Sequence, residues 1–129
     1  MTLKISEADV KLAVGEWLQF AQNQGKLHFE RLNAGEFIET RGDTRRRIKG
    51  ASAGAADFLV LQGVNVQSQY LGQNKGQGYP VCRVTFIEVK KPQGGKQSDE
   101  QKAFESKVKQ FHARYFIVTS VAELEERLR

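Results

Sequence analysis

Asp57, Glu88 and Lys90 are the residues of this chain best suited by type and spacing to do chemistry. Glu88 and Lys90 end the run Val81–Lys90, whose β-branched and aromatic residues predict a strand. Residues two apart in a strand share a face. Cys82, Val84 and Phe86 have the same parity, so that face is expected to be packed for most of its length. Asp57 opens a second strand, Asp57-Phe58-Leu59-Val60-Leu61, which is apolar on both faces and so expected to be central. Charges at the ends of buried strands are costly unless something pairs with them. If the two strands are neighbours, Asp57 and Glu88 converge, and a cation relieves their repulsion. Together with the main-chain carbonyl of Val89 they would offer hard oxygen donors, which suit magnesium or manganese. Such an ion activates water and neutralises charge on an attacked phosphate. Lys90 would orient or deprotonate that water. The spacing fits equally well an exposed Glu–Lys pair at a strand end.

Two helices carry further polar groups in register with their apolar faces. Val10, Ala13, Val14, Trp17, Leu18 and Ala21 recur at helical spacing after Ser6, a good N-cap with Asp9 three residues on. Gly25 marks the end of that helix. Glu7 is in register with its apolar face, so it is expected to point inward. A second helix starts near Ser98, with Phe104, Val108 and Phe111 as its stripe and Gln101 in register with them. Each of the two has an ordinary explanation. Glu7 suits a helix N-terminus electrostatically, and Ser98 to Gln101 is a formal capping box. Tyr115–Thr119 predicts a third core strand. Ser120 with Glu123 predicts a capped final helix that turns Val121, Leu124 and Leu128 inward.

The rest of the chain sets limits. At 129 residues, with 40% hydrophobic and 27% charged, it reads as one soluble domain, 1–129, of mixed α/β class. There is no run of about 18 apolar residues, so no membrane helix is expected. The polar start Met1-Thr2-Leu3-Lys4-Ile5 is unlike a secretory signal. A single cysteine, Cys82, suits a reducing cytoplasm and is expected to be a buried, inert thiol. One Cys and two His exclude the usual zinc site. Residues 26–49 suggest short strands with turns near 33–35 and 42–43, and Gly50–Gly54 a loop of small residues. Residues 62–80 are rich in Gln, Asn and Gly, and Gly72–Gly78 is expected to be a hairpin tip or an open loop. The net charge of +5 admits a polyanionic partner. Arg41, Arg45, Arg46, Arg47 and Lys49 are interrupted by a single acid, Asp43. They fit a solvated strand edge and a phosphate-contacting arm equally well.

Three segments, taken in order, resemble the PD-(D/E)XK nuclease superfamily and, within it, the VRR-NUC (virus-type replication–repair nuclease) family. They are Gly54-Ala55-Ala56-Asp57-Phe58-Leu59-Val60, Ile87-Glu88-Val89-Lys90-Lys91-Pro92 and Gly95-Lys96-Gln97-Ser98-Asp99-Glu100-Gln101. The likeness extends to Ser6–Val10 and Phe116–Ser120, and so over nearly the whole chain. It implies a restriction-endonuclease-like core, a mixed central sheet flanked by helices. It also implies a Mg²⁺- or Mn²⁺-dependent DNA endonuclease, in small stand-alone forms a dimer that resolves four-way junctions, from bacteria or phages. On that pattern Asp57 and Glu88 match the metal ligands, Lys90 the catalytic lysine, Glu7 the acid of the first helix and Gln101 a supporting glutamine. Arg45, Arg46, Arg47, Lys49 and Lys96 are then the candidate DNA-backbone contacts. Ala56 departs from the family's usual proline before the first aspartate, a position that shapes the backbone and does no chemistry.

Two other classes compete. Gly50-Ala51-Ser52-Ala53-Gly54 fits G-x-S-x-G, and Asp99 and His112 follow in hydrolase order. That motif needs a strand before it and a helix after it, and here a strand is expected to follow. A non-catalytic nucleic-acid-binding module would use the basic stretch with Phe29, Phe37, Tyr70 and Tyr79 nearby. It gives no reason for converging carboxylates.

Overall fold

The computed structural model describes residues 4–33, 36–67 and 78–129, with the backbone alone at Glu36 and Phe37. The segment 68–77, which holds Tyr70 and most of the expected hairpin tip, lies outside the described residues, as do 34–35. The chain order is α1 (Glu7–Asn23), β1 (His28–Arg31), β2 (Glu36–Arg41), β3 (Thr44–Lys49), β4 (Phe58–Val66), β5 (Tyr79–Val89), α2 (Asp99–Gln110), β6 (Arg114–Val118) and α3 (Val121–Arg127). Four strands form a mixed sheet in the order β1-β4-β5-β6. The first three pair antiparallel, and β6 joins β5 in parallel through the α2 crossover. Strands β2 and β3 form a separate two-stranded ribbon.

α1 begins where its local chemistry dictates. The Ser6 side chain accepts from Asp9 N–H at 3.1 Å, and Asp9 accepts from Ser6 N–H at 3.0 Å, a complete reciprocal box. Its inward stripe is Val10, Val14, Gly15, Leu18 and Ala21, whereas Ala13 is exposed. This stripe meets Phe29, Phe58, Val60, Ile87, Val89 and Val118 from the sheet, Leu124 of α3 and Leu128 at its C-cap in one core. Residues of that size each contribute about 1.5–3 kcal/mol on full burial. The even-numbered face of β5 carries α2. Phe86 meets Phe104 edge-on at 5.2 Å, and Phe104 lies 6.3 Å from Tyr115.

α2 covers only the β6-side end of that face, which corrects two expectations. Cys82 is exposed rather than buried, because the outer part of β5 pairs with β4 beyond the reach of α2 and β6. Phe111 caps the C-terminus of α2 and is 78% exposed, so the helix has a shorter packed stripe than its periodicity suggests. At α3, Ser120 accepts from Glu123 N–H, but Glu123 reaches back to the Thr119 amide and hydroxyl instead of Ser120 N–H, so that box is only half formed. The 62–80 region opens as strand: β4 runs to Val66, opposite Tyr79 of β5. Among the described residues no helix is long and apolar enough to cross a membrane.

Candidate metal centre

Strand register brings the two key acids together. Phe58 of β4 stands opposite Ile87 of β5, so the next position along the ladder sets Asp57 against Glu88. Asp57 is tied on both sides. Its carbonyl accepts from Leu32 N–H at 2.9 Å, and its Oδ2 accepts from Val89 N–H at 2.7 Å. The side chain thus takes a ladder bond just where β4 begins. In extended backbone the N–H and C=O of one residue face the same neighbouring strand. Val89 therefore turns its carbonyl toward Asp57 as well, while Lys90 N–H faces the other way and bonds to Val118 O at 3.0 Å.

Glu88 is only 2% exposed. Its Oε1 accepts from Gln101 Nε2 at 2.9 Å and lies 3.6 Å from Lys90 Nζ. Its Oε2 is buried with no hydrogen-bond partner among the described residues. Burial, and after it the neighbouring charge of Asp57, pushes the Glu88 carboxyl up to about 8, against the opposing pull of Lys90. A buried acid held this far from its ordinary range needs a proton, or a cation bound beside it, to offset its charge.

Lys90 is 9% exposed, and its Nζ sits between Glu88 and Glu7, 3.8 Å from Glu7 Oε1. The loop after β5 folds back over it: a Cβ on Gly95 would lie 2.9 Å from Lys90 Cβ. Gln101 satisfies both of its sequence readings at once. Its Oε1 accepts from Ser98 N–H at 2.9 Å to complete the α2 capping box, which leaves its amide free to donate to Glu88. The placement depends on Gly54, whose φ of +79° and lack of a Cβ let the 50–56 loop touch the Glu100 main chain.

Sequence reasoning missed Lys11. Its Nζ lies 3.0 Å from Asp57 Oδ1. Partial burial alone would lower its pKa, but Asp57, Glu7 and Glu88 hold it above the ordinary lysine value. The available signal was its position one helical turn after Glu7, on the same side of α1. Glu7, Lys11, Asn33, Asp57, Glu88 and Gln101 all line one open cleft of about 510 Å³. Glu7 reaches this group through Lys90, and its charge also acts on Glu88 and Lys11.

The remaining candidates lie elsewhere. Lys96 is exposed on the loop before α2 and does not line the cleft. Arg45, Arg46, Arg47 and Lys49 are all exposed on β3. Ser52 is followed by a strand, β4, and not by a helix. His112 lines a different, apolar groove with Cys82 and Phe111, so the G-x-S-x-G reading loses its histidine.

Among the described residues no three His, Cys, Asp or Glu side chains cluster closely enough to form a metal cage. The donors on hand are two carboxylates and a main-chain carbonyl. That set fits magnesium, which uses one or two carboxylates and keeps waters or substrate phosphates in its other positions.

Fold and cleft together define an α/β protein with a mixed sheet flanked by helices and a paired-carboxylate cleft at the end of its central strands. Comparison of the chain with family models, curated proteins and solved structures returned no match.

Proposed function

We propose that this chain is a divalent-metal-dependent DNA endonuclease with a restriction-endonuclease-like core of the PD-(D/E)XK, VRR-NUC type. The observation that carries the reading is the Glu88 carboxylate, buried opposite Asp57 beside a lysine, with Oε2 unpartnered among the described residues. Asp57, Glu88 and the Val89 carbonyl would hold Mg²⁺ or Mn²⁺. When bound, the ion acidifies water and offsets charge on the attacked phosphate. The protein's own groups do the positioning. Val89 N–H fixes the Asp57 carboxylate, and the Gln101 amide fixes that of Glu88. Lys90, held between Glu88 and Glu7, would orient the attacking water and balance phosphate charge. A two-fold homodimer would suit the two-fold symmetry of a four-way junction and supply paired cuts.

A binding module without catalysis would use the same basic ribbon but gives Glu88 no task. Labelled four-way junction, flap, nicked and linear DNA, each incubated with Mg²⁺, Mn²⁺ or chelator, tests the reading. We expect ion-dependent cutting that Glu88→Ala and Lys90→Met abolish while DNA affinity persists. Intact DNA of every form with every ion would refute it.

A further inference from the structure

We infer that the β2–β3 ribbon grips duplex DNA beside the cleft through one face, the face that carries Arg45 and Arg47. The inference rests on the DNA reading above and adds to it which surface engages which form of DNA. The ribbon is placed for this. It belongs to neither edge of the main sheet, and its base is closed by a hydrogen bond from Ala51 N–H to Asn33 O at 2.6 Å. Asn33 on one side of that base, and Ala53 and Gly54 just past the other, line the carboxylate cleft. The ribbon therefore springs from the cleft rim.

Register divides its cations unequally. Thr40 pairs with Arg45, Ile38 with Arg47 and Glu36 with Lys49, so these six positions share one face. Arg41, Glu39 and Arg46 occupy the other face. There Glu39 lies within ion-pair range of both cations and offsets one of their two charges: Arg41 Nε lies 3.1 Å from Oε1 and Arg46 Nε 3.7 Å from Oε2. Arg45 and Arg47 make no ion pair among the described residues, and no acid stands opposite either of them. Two guanidinium forks with no ion pair among the described residues, on one side of a narrow ribbon, are the chemistry that engages phosphate.

The nature of this face favours duplex over single strand. Single-strand sites stack bases on aromatic side chains, and no aromatic residue has its register position on the Arg45–Arg47 face. A two-stranded antiparallel ribbon is of a size that the major groove of B-DNA admits. Ile38, 68% exposed and directly opposite Arg47, is the apolar contact such a face would present to sugars or thymine methyls.

Two double variants that remove the same charge test the face directly. Arg45→Gln/Arg47→Gln and Arg41→Gln/Arg46→Gln are compared for equilibrium binding to a short fluorescent duplex in chelator, over a salt series, with circular dichroism to confirm that both fold. The first pair is expected to lose affinity about tenfold or more and to flatten the salt slope by about 1.8, the value for two lost phosphate contacts. The second is expected to change affinity less than about threefold. Equal losses in both pairs, or a larger loss in the second, would overturn the inference, as would a wild-type chain with no affinity for duplex. Cutting by a wild-type chain whose two variant pairs behave alike would sink the ribbon face and leave the nuclease reading standing. Duplex binding through Arg45 and Arg47 by a chain that cuts nothing would do the reverse.

Discussion

The buried Glu88 carboxyl should make the stability of the protein in chelator fall as pH rises through neutrality. Its pKa is raised from 4.5 to about 8 by burial and by Asp57. The folded state therefore holds a proton that the unfolded chain releases at lower pH, and folding is favoured by that proton. The contribution is fully present below about pH 4.5. It declines at roughly 1.4 kcal/mol per pH unit and is gone above about pH 8. Between pH 6 and 8 the loss is about 2 kcal/mol. For a chain of this length that lowers Tm by on the order of 8 °C. Glu88→Gln keeps the shape, cannot ionise and should flatten this dependence, so that it is more stable than wild type at pH 8. A divalent ion should do for wild type at pH 8 what the proton does at pH 5, and should do nothing for the variant. An ion at a hundred times its Kd adds about 2.7 kcal/mol. Scanning calorimetry from pH 5 to 9, with chelator and with Mn²⁺, reads all three effects. A wild-type Tm that tracks that of Glu88→Gln across the range would show that no raised carboxyl exists, and the charge argument for the cleft would fall with it.

Lys11→Met should tighten Mn²⁺ binding severalfold, because the ammonium 3.0 Å from Asp57 Oδ1 competes with the ion for that carboxylate. Electron-spin-resonance titration of free Mn²⁺ measures it, and unchanged or weaker binding would argue against the competition. Gly54→Ala should destabilise by more than about 2 kcal/mol. The added Cβ meets the Glu100 carbonyl carbon and oxygen at 2.3 Å, and the backbone there has a φ of +79°. Urea unfolding checks this, and a loss under about 0.5 kcal/mol would mean that the 50–56 loop does not rest on α2.

The elements set by neighbours in sequence could be read from the sequence. Ser6 with Asp9 and Ser98 with Gln101 start helices by bonds that span three residues, so their geometry follows from residue type alone. The run from Phe58 and the run to Val89 are strands because each is long and apolar. Packing between elements was less legible. Whether Cys82 is covered depends on where α2 stops and how far β6 extends, and no periodicity within β5 records that. The same holds for Phe111, which keeps helical register but caps the end of α2 and stays exposed beside an open groove over the outer part of β4 and β5.

The amino-acid order by itself determined the local grammar of this protein: its helix starts, its strand runs, and which residues carry acids, amines and amides. Tertiary structure alone decided that Asp57 faces Glu88 across a ladder, that Gln101 can cap a helix and hold Glu88 together, and that Lys11 reaches Asp57. It also decided that Arg46 is spent on Glu39 while its neighbours on either side are not. The reason is range. Caps and periodicity act over a turn or a strand, whereas carboxylate repulsion, desolvation and ion pairing depend on distances set by strand register and packing between distant segments.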